Sequence, residues 1–86
     1  MTYQGEVLED IRKERARQDA KWGDQILHTD EIWTAILGEE YGEAAQEVLR
    51  SHFGNKPKQD LYAELIQVAA VATVWCEALK RRGAVD

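Results

Sequence analysis

The 86-residue sequence holds little cysteine, little proline and no excess of basic residues. A single cysteine, Cys76, cannot form an internal disulfide, which excludes a small secreted fold held together by cross-links. The formal net charge of -5 at pH 7 opposes binding to DNA or RNA, because contacts to a phosphate backbone require a basic surface. We therefore expect no nucleic-acid partner.

Long apolar stretches are also absent from the sequence. The most apolar run, residues 65–76, is shorter than the roughly 20 residues that a membrane-spanning helix needs. The first 15 residues lack the apolar core of a signal peptide, so we expect a cytoplasmic protein without membrane association. The length predicts one domain, residues 1–86, and a domain of this size buries only about 60% of its unfolded surface, so association would stabilise it.

No run alternates apolar and polar residues for long enough to indicate a β-strand, so the sequence predicts an all-α fold. Three helical segments are separated by breaks at Gly23 and before Pro57. The predicted helices run from about Tyr3 to Ala20, from just after Thr29 to about Ser51, and from about Gln59 to Arg82.

Apolar residues at helical spacing predict which faces of the second and third helices form the core. In the second helix they are Trp33, Ile36, Leu37, Ala44 and Val48. In the third helix they are Leu61, Leu65, Val68, Ala72 and Trp75. Because the third helix is apolar on nearly every face, we expect a homodimer at least, in which paired copies of the two helices build a four-helix bundle.

Acidic residues interrupt the predicted core faces of both helices. Glu40 falls on the apolar face of the second helix, with Glu39 beside it and Glu43 one turn further on. Glu64 and Gln67 form a second polar pair, one turn apart, in the otherwise apolar third helix. Glutamates on a helix are commonly solvated, but two polar sets that face one seam favour a divalent cation, and their oxygen ligands suit Mg²⁺ or Mn²⁺.

The same residues carry a resemblance to a known family. The sequence EEYGE at 39–43, followed after 20 residues by ELIQ at 64–67, resembles the EExxE and ExxD motifs of the MazG-like, all-α nucleoside triphosphate pyrophosphohydrolases. The segment ERARQDAKWGDQ at 14–25 and the helix ELIQVAAVATVWCEAL at 64–79 are similar to segments of small phage or prophage members. Together these motifs cover most of the chain.

The resemblance implies an enzyme that hydrolyses a nucleoside triphosphate, with deoxynucleotides favoured, between its α and β phosphates, as housekeeping of the nucleotide pool. It implies Mg²⁺ bound by Glu40, Glu43 and Glu64, with Glu39 as a further catalytic residue beside Glu40 that ligates the metal or orients the attacking water. Gln67 stands where the family has aspartate, and its amide oxygen can ligate a metal but brings no charge. The alternative is a non-catalytic helical module that binds a nucleotide or a protein through the same seam.

Aromatic and basic residues suggest where a nucleotide would bind. Trp22 lies in the break between helices with Arg17 and Lys21 nearby, a composition that stacks a base and holds phosphate. The other interpretation is that Trp22 packs on the end of the bundle. Trp33 is predicted as a core residue, and the alternative is that it borders a base pocket. Lys80 is predicted as a partner of the helix dipole, and the alternative is that in an oligomer it reaches phosphates bound to a neighbouring subunit.

Overall fold

The structure, a computed structural model, describes residues 2–24 and 27–86 of the chain. It contains the helices α1 (Tyr3–Trp22), α2 (Asp30–Phe53) and α3 (Gln59–Arg81), and no strand within the described residues. The all-α prediction is confirmed, and each predicted helix end lies within about two residues of the observed one. Gln25, the last residue of the ERARQDAKWGDQ segment, lies outside the described residues.

Local capping explains where the first two helices begin and end. The Thr2 hydroxyl accepts a hydrogen bond from the Gly5 amide at 2.9 Å, and the Thr29 hydroxyl accepts one from the Ile32 amide at 3.3 Å. Each bond satisfies an amide that has no partner inside its helix. Gly23 ends α1 with a φ of 73°, a conformation that glycine adopts without the steric cost of a Cβ atom.

Helix α3 is the centre of the fold, because both α1 and α2 pack against it. Trp33 of α2 is the largest fully buried side chain, and it packs with Val71 and Val74 of α3. The buried apolar residues within the described ranges are Trp33, Ala44, Ala70, Val71, Val74 and Ala78. Alanines on the buried face allow the helices to approach one another closely.

The predicted core face of α3 is wrong within the single chain. Leu65 is 50% exposed and Leu61, Val68 and Ala72 are only partly buried, whereas the buried positions lie on another face of the helix. Trp75 is the exception, because this partly buried side chain packs against the core cluster. Val48 of α2, also predicted as core, is exposed. A helix that is apolar on nearly every side gives no periodic signal for the face that its neighbours cover, so the choice between faces depends on tertiary packing.

The chain is extended for its length. Its radius of gyration is 14.3 Å, whereas a compact chain of this length would have about 12 Å. An apolar groove on α2 and α3 remains open to solvent. It is lined by Tyr41, Ala44, Ala45, Val48, Leu49, Leu61 and Leu65.

By length and composition, α3 also meets the criterion for a helix that crosses a membrane, with a mean hydropathy of 1.3 over an 18-residue window. The twelve-residue run considered from the sequence is only part of that window. The core helix of a water-soluble protein meets the same criterion, so this finding is weak evidence for a membrane location.

Candidate functional site

Three glutamates from two helices converge at the seam between α2 and α3. Glu40 and Glu43 lie one turn apart on α2, and Glu64 faces them from α3. Each offers a carboxylate oxygen, and the three oxygens all lie within 4.8 Å of one another. The structure therefore brings together three of the four residues predicted as metal ligands.

Two of these carboxylates are poorly compensated inside the chain. Glu40 Oε2 and Glu64 Oε2 are buried and have no hydrogen-bond partner among residues 2–24 and 27–86. Burial, followed by the charges of Glu43 and Glu64, raises the pKa of Glu40. Burial and the nearby Glu43 carboxylate likewise raise the pKa of Glu64. Both shifts have the same physical cause, since a carboxylate that is desolvated next to like charges is disfavoured in its ionised form.

The donor set fits a small divalent cation. Carboxylate oxygens are the ligands that Mg²⁺ and Mn²⁺ prefer, and the two unpartnered oxygens of Glu40 and Glu64 supply sites that nothing else in the described chain occupies. A cation would also remove the repulsion among the three carboxylates. The arrangement can therefore hold a metal while leaving other coordination positions open to water or a ligand.

A cleft of about 290 Å³ meets the acidic cluster at Glu40. All three helices contribute to it, and Glu40 belongs both to the cleft wall and to the acidic cluster. The cleft is lined by Gln18, Trp22, Trp33, Ile36, Glu39, Glu40, Val71 and Val74. A molecule bound in this cleft would thus lie beside the candidate metal ligands.

Of the predicted substrate residues of α1, Trp22 lines the cleft, and Arg17 and Lys21 lie near its ring without lining the cleft themselves. Trp22 is half-exposed, and Lys21 Nζ lies 4.8 Å from the centroid of its ring. The Arg17 guanidinium carbon lies 5.9 Å from the same ring, and Arg17 also binds Glu14 through contacts of 2.6 and 2.8 Å. Two cations therefore lie near the Trp22 ring, and the ring is exposed enough to stack on a planar ligand. Its predicted role in binding remains a prediction.

Trp33 is the central core residue of α2, as predicted, and it also lines the cleft. Its role at a base pocket remains a prediction. Its ring contacts His28 edge to face, with the centroids 5.0 Å apart. Its indole Nε1 is buried and has no hydrogen-bond acceptor in the described part of the chain.

Two predicted site residues lie elsewhere. Gln67 lines a neighbouring groove between α1 and α3, together with Lys13 and Arg17. Lys80 is exposed near the C-terminal end of α3 and donates a hydrogen bond to the carbonyl oxygen of Asp86 at 2.6 Å. Neither residue lines the cleft in the single chain. Metal ligation by Gln67 and phosphate binding by Lys80 across a subunit boundary remain predictions.

Sequence reasoning missed the contribution of α1 to the polar wall of the site. Glu14 is largely buried and lies close enough to Glu40 to contribute to its raised pKa. Gln18 is buried in the cleft wall, and its Nε2 donates to Glu14 Oε2 at 3.3 Å. A signal was present, because residues 14, 18 and 22 are spaced four apart and therefore share one face of α1.

A buried glutamate further along α2 was also missed. Glu47 is 7% exposed, yet Arg50 Nη1 and Lys56 Nζ contact its two oxygens at 2.7 and 3.3 Å. Glu47 also adds to the negative potential that raises the pKa of Glu64. Because its charge is compensated within the chain, Glu47 is a structural carboxylate and not a candidate ligand.

A second cleft, of about 280 Å³, lies on another side of α3. Its charged residues already pair with one another, since Arg15 contacts Glu77 at 2.8 Å and Asp19 at 2.9 Å. Arg81, also in its wall, contacts Asp24 at 3.1 Å. Compensated charges of this kind are typical of ion pairs that hold helix ends together, so this cleft is not the candidate site.

Comparisons of the chain with known protein families, with curated proteins and with solved structures gave no match. The functional argument therefore depends on the residues and geometry of this chain.

Proposed function

We propose that the chain is a Mg²⁺-dependent nucleoside triphosphate pyrophosphohydrolase, which cleaves a (deoxy)nucleoside triphosphate to the monophosphate and pyrophosphate. One observation carries the proposal: three carboxylates converge, two of them have buried oxygens without a partner in the described part of the chain, and one of the three, Glu40, lines a cleft together with Trp22, beside which Lys21 lies. The resemblance of the glutamate motifs to MazG-like enzymes supports the same activity.

In this proposal the residues divide into two groups. Glu40, Glu43 and Glu64 hold the cation at the α2–α3 seam, while Glu39, exposed in the cleft wall, orients the attacking water and accepts its proton. When bound, the cation neutralises and orients the phosphates and lowers the pKa of water. Gln67, with an amide in place of the family's carboxylate, contributes a neutral ligand at most.

The nucleotide lies along the cleft with its base at Trp22 and its triphosphate towards Glu40. The Trp22 ring supplies a stacking surface, and Arg17 and Lys21 beside it supply positive charge. Arg17 is bound to Glu14 in the free chain and would exchange this partner for a phosphate oxygen. Ile36, Val71 and Val74 give the cleft apolar surface for contact with the bound ligand.

A second copy of the chain completes the fold in this proposal. The open apolar groove of α2 and α3 and the large radius of gyration indicate surface that a single chain leaves uncovered. Pairing of α2 and α3 across a two-fold axis would form the four-helix bundle of a homodimer or homotetramer and would bring Lys80 of one subunit towards the neighbouring site. A nucleotide substrate is consistent with a cytoplasmic location.

The activity is tested by incubating the purified protein with a panel of NTPs and dNTPs, with Mg²⁺ or with EDTA. We expect Mg²⁺-dependent release of pyrophosphate, which EDTA and the substitution Glu40→Gln abolish. Release of orthophosphate alone would contradict cleavage between the α and β phosphates. Nucleotide binding without turnover would support the alternative, a non-catalytic binding module. The uncharged Gln67, at the position where the family has aspartate, favours that alternative.

A further inference from the structure

Glu14 and Arg17 of α1 form a charged pair beside the cleft. Arg17 Nε and Nη2 donate to the two oxygens of Glu14 at 2.8 and 2.6 Å, so one planar guanidinium engages both carboxylate oxygens. Gln18, buried in the cleft wall, adds a third contact, because its Nε2 donates to Glu14 Oε2 at 3.3 Å. The free chain therefore holds the charge of Arg17 on a carboxylate of its own helix.

The two members of the pair differ in their freedom to move. The Glu14 side chain is 13% exposed, and Gln18 holds it from the cleft wall, so this carboxylate stays in place. The Arg17 side chain is 49% exposed, and its long stem can carry the guanidinium to another partner without a change in the helix. When a competing anion arrives, Arg17 is therefore the member that leaves the pair.

Arg17 lies close to the place where the nucleotide of the proposed function binds. Its guanidinium carbon is 5.9 Å from the ring centroid of Trp22, which lines the cleft. Hydrogen bonds to Glu14 raise the pKa of Arg17, and the charge of Glu40 adds to this effect, so Arg17 also lies within the field of the acidic cluster. An anion that binds between Trp22 and a cation at Glu40 would thus lie near Arg17 and compete with Glu14 for it.

We propose that Glu14 is a positioning residue that acts through Arg17: it withholds the guanidinium from the phosphates until a metal-bound triphosphate displaces it. This inference rests on the proposed function, because the competing anion is the triphosphate of the substrate. Each binding event breaks the Glu14–Arg17 pair, so the pair weakens nucleotide affinity by the free energy of its own contacts. Its return after cleavage removes Arg17 from the products and favours their release.

The test is a double-mutant cycle of Glu14→Gln and Arg17→Gln, in which KM and kcat are measured for a dNTP with Mg²⁺. Glu14→Gln alone should lower KM by roughly two- to fivefold, the value of a partly exposed ion pair. In the Arg17→Gln background the same change should not alter KM, because no guanidinium remains to be released. An equal fall in both backgrounds would overturn the proposal, since Glu14 would then act only by repelling the phosphates. A KM that does not fall in Glu14→Gln would also overturn it.

Glu9→Gln is the matched control for the loss of one carboxylate from α1. Glu9 and Arg12 form an equivalent pair on the same helix, with contacts of 2.6 and 2.9 Å, and neither residue lines the cleft. Release of Arg12 should therefore leave KM unchanged. A fall in KM for Glu9→Gln as large as that for Glu14→Gln would reject a specific role for Glu14.

Glu14 is largely buried, so a second variant covers the case in which Glu14→Gln does not fold. Glu14→Asp keeps the negative charge but shortens the side chain by one methylene, which loosens the two-oxygen contact with Arg17. It should lower KM in the same direction as Glu14→Gln. An unchanged KM in folded Glu14→Asp protein would overturn the proposal.

Binding measurements distinguish failure of this inference from failure of the proposed function. Isothermal titration of the wild type and of Glu14→Gln with an α,β-methylene dNTP and Mg²⁺ reports nucleotide binding without turnover. Tighter binding by Glu14→Gln, in a protein that hydrolyses no dNTP, would support the role of Glu14 and reject the enzyme. Turnover of a dNTP by both proteins, with equal affinity for the analogue, would support the enzyme and reject the role of Glu14.

Discussion

Glu40 and Glu47 are carboxylates on the same helix, seven residues apart, and their surroundings differ in one respect. Glu47 has Arg50 and Lys56 on its two oxygens, whereas Glu40 Oε2 is buried, has no partner within residues 2–24 and 27–86, and lies among other glutamates. Loss of charge should therefore have opposite effects at the two positions. Glu47 is therefore expected to stabilise the fold, whereas Glu40 is expected to destabilise the metal-free fold.

In EDTA, Glu40→Gln should raise the free energy of unfolding, because it removes repulsion within the acidic cluster. Glu47→Gln should lower it by about 1 kcal/mol, because the partly exposed Arg50 and Lys56 lose their common partner. Thermal melts with and without millimolar Mg²⁺ check both effects. Mg²⁺ should raise the Tm of the wild type and of Glu47→Gln but not that of Glu40→Gln. If neither Mg²⁺ nor Mn²⁺ changes the Tm of the wild type, the metal site is refuted.

The effect of Glu40→Gln should depend on pH. Burial and neighbouring glutamates raise the pKa of Glu40 above its ordinary value of 4.5, so the folded chain holds this proton more tightly than the unfolded chain. The resulting stability is present below pH 4.5 and is lost as the pH rises through the raised pKa. In metal-free urea titrations the stability advantage of Glu40→Gln should therefore be larger at pH 7 than near pH 4.5. A pH-independent difference would contradict this cause.

Gln67→Asp restores a carboxylate at the position where the resemblance expects one. If Gln67 reaches the metal, the substitution should tighten Mg²⁺ binding by about tenfold, since a charged oxygen replaces a neutral one, and should lower the stability of the metal-free protein. Isothermal titration with Mg²⁺ measures the first effect and a melt in EDTA the second. Gln67→Asn, which stays neutral, is the control. Equal Mg²⁺ affinity of the wild type, Gln67→Asp and Gln67→Asn would show that residue 67 does not contact the metal.

At the scale of the helices, local signals were sufficient for the boundaries. Thr29 and Gly23 are capping residues with direct hydrogen-bonding and conformational roles, so the sequence marks these ends. The buried face of α3 was not predictable, because Leu65 and Val71 are equally apolar and only the positions of α1 and α2 decide which is covered. The glutamate cluster was predictable because Glu40 and Glu64 interrupt apolar faces.

Helix α1 was the hardest element to interpret. Its apolar residues Val7 and Leu8 are exposed, while the face that reaches the site carries Glu14, Gln18 and Trp22. A search for apolar periodicity does not detect a buried face made of polar groups. The four-residue spacing of those three side chains becomes meaningful only once the acidic seam of α2 and α3 is known.

The role of this face of α1 is tested at Trp22. Trp22→Ala should raise KM for a nucleotide about tenfold or more by removing a stacking surface, while Trp22→Phe should retain most of the affinity. Since Trp22 is half-exposed, neither substitution should change the Tm by more than a few degrees. A large loss of Tm in Trp22→Ala without a change in KM would show that Trp22 only packs against the end of the bundle.

At the scale of the whole molecule, the open groove of α2 and α3 predicts association. Leu65, 50% exposed at the groove, becomes buried in the proposed dimer, whereas Leu27, 91% exposed, lies outside the groove lining. Leu65→Lys should therefore convert the dimer to a monomer and lower its Tm, while Leu27→Lys should change neither. Analytical ultracentrifugation at micromolar concentration measures the state. A wild-type mass of 9.8 kDa would exclude the dimer.

The central position of α3 has a consequence for how the chain acquires its structure during synthesis. Within the described residues, α1 and α2 each pack on α3 and make no close backbone contact with each other. Because α3 is the last of the three to be translated, the first two helices leave the ribosome without a surface on which to dock. The helices therefore cannot dock one after another from the N-terminus during synthesis. The contacts of α1 and α2 with α3 form only after α3 has emerged from the ribosome.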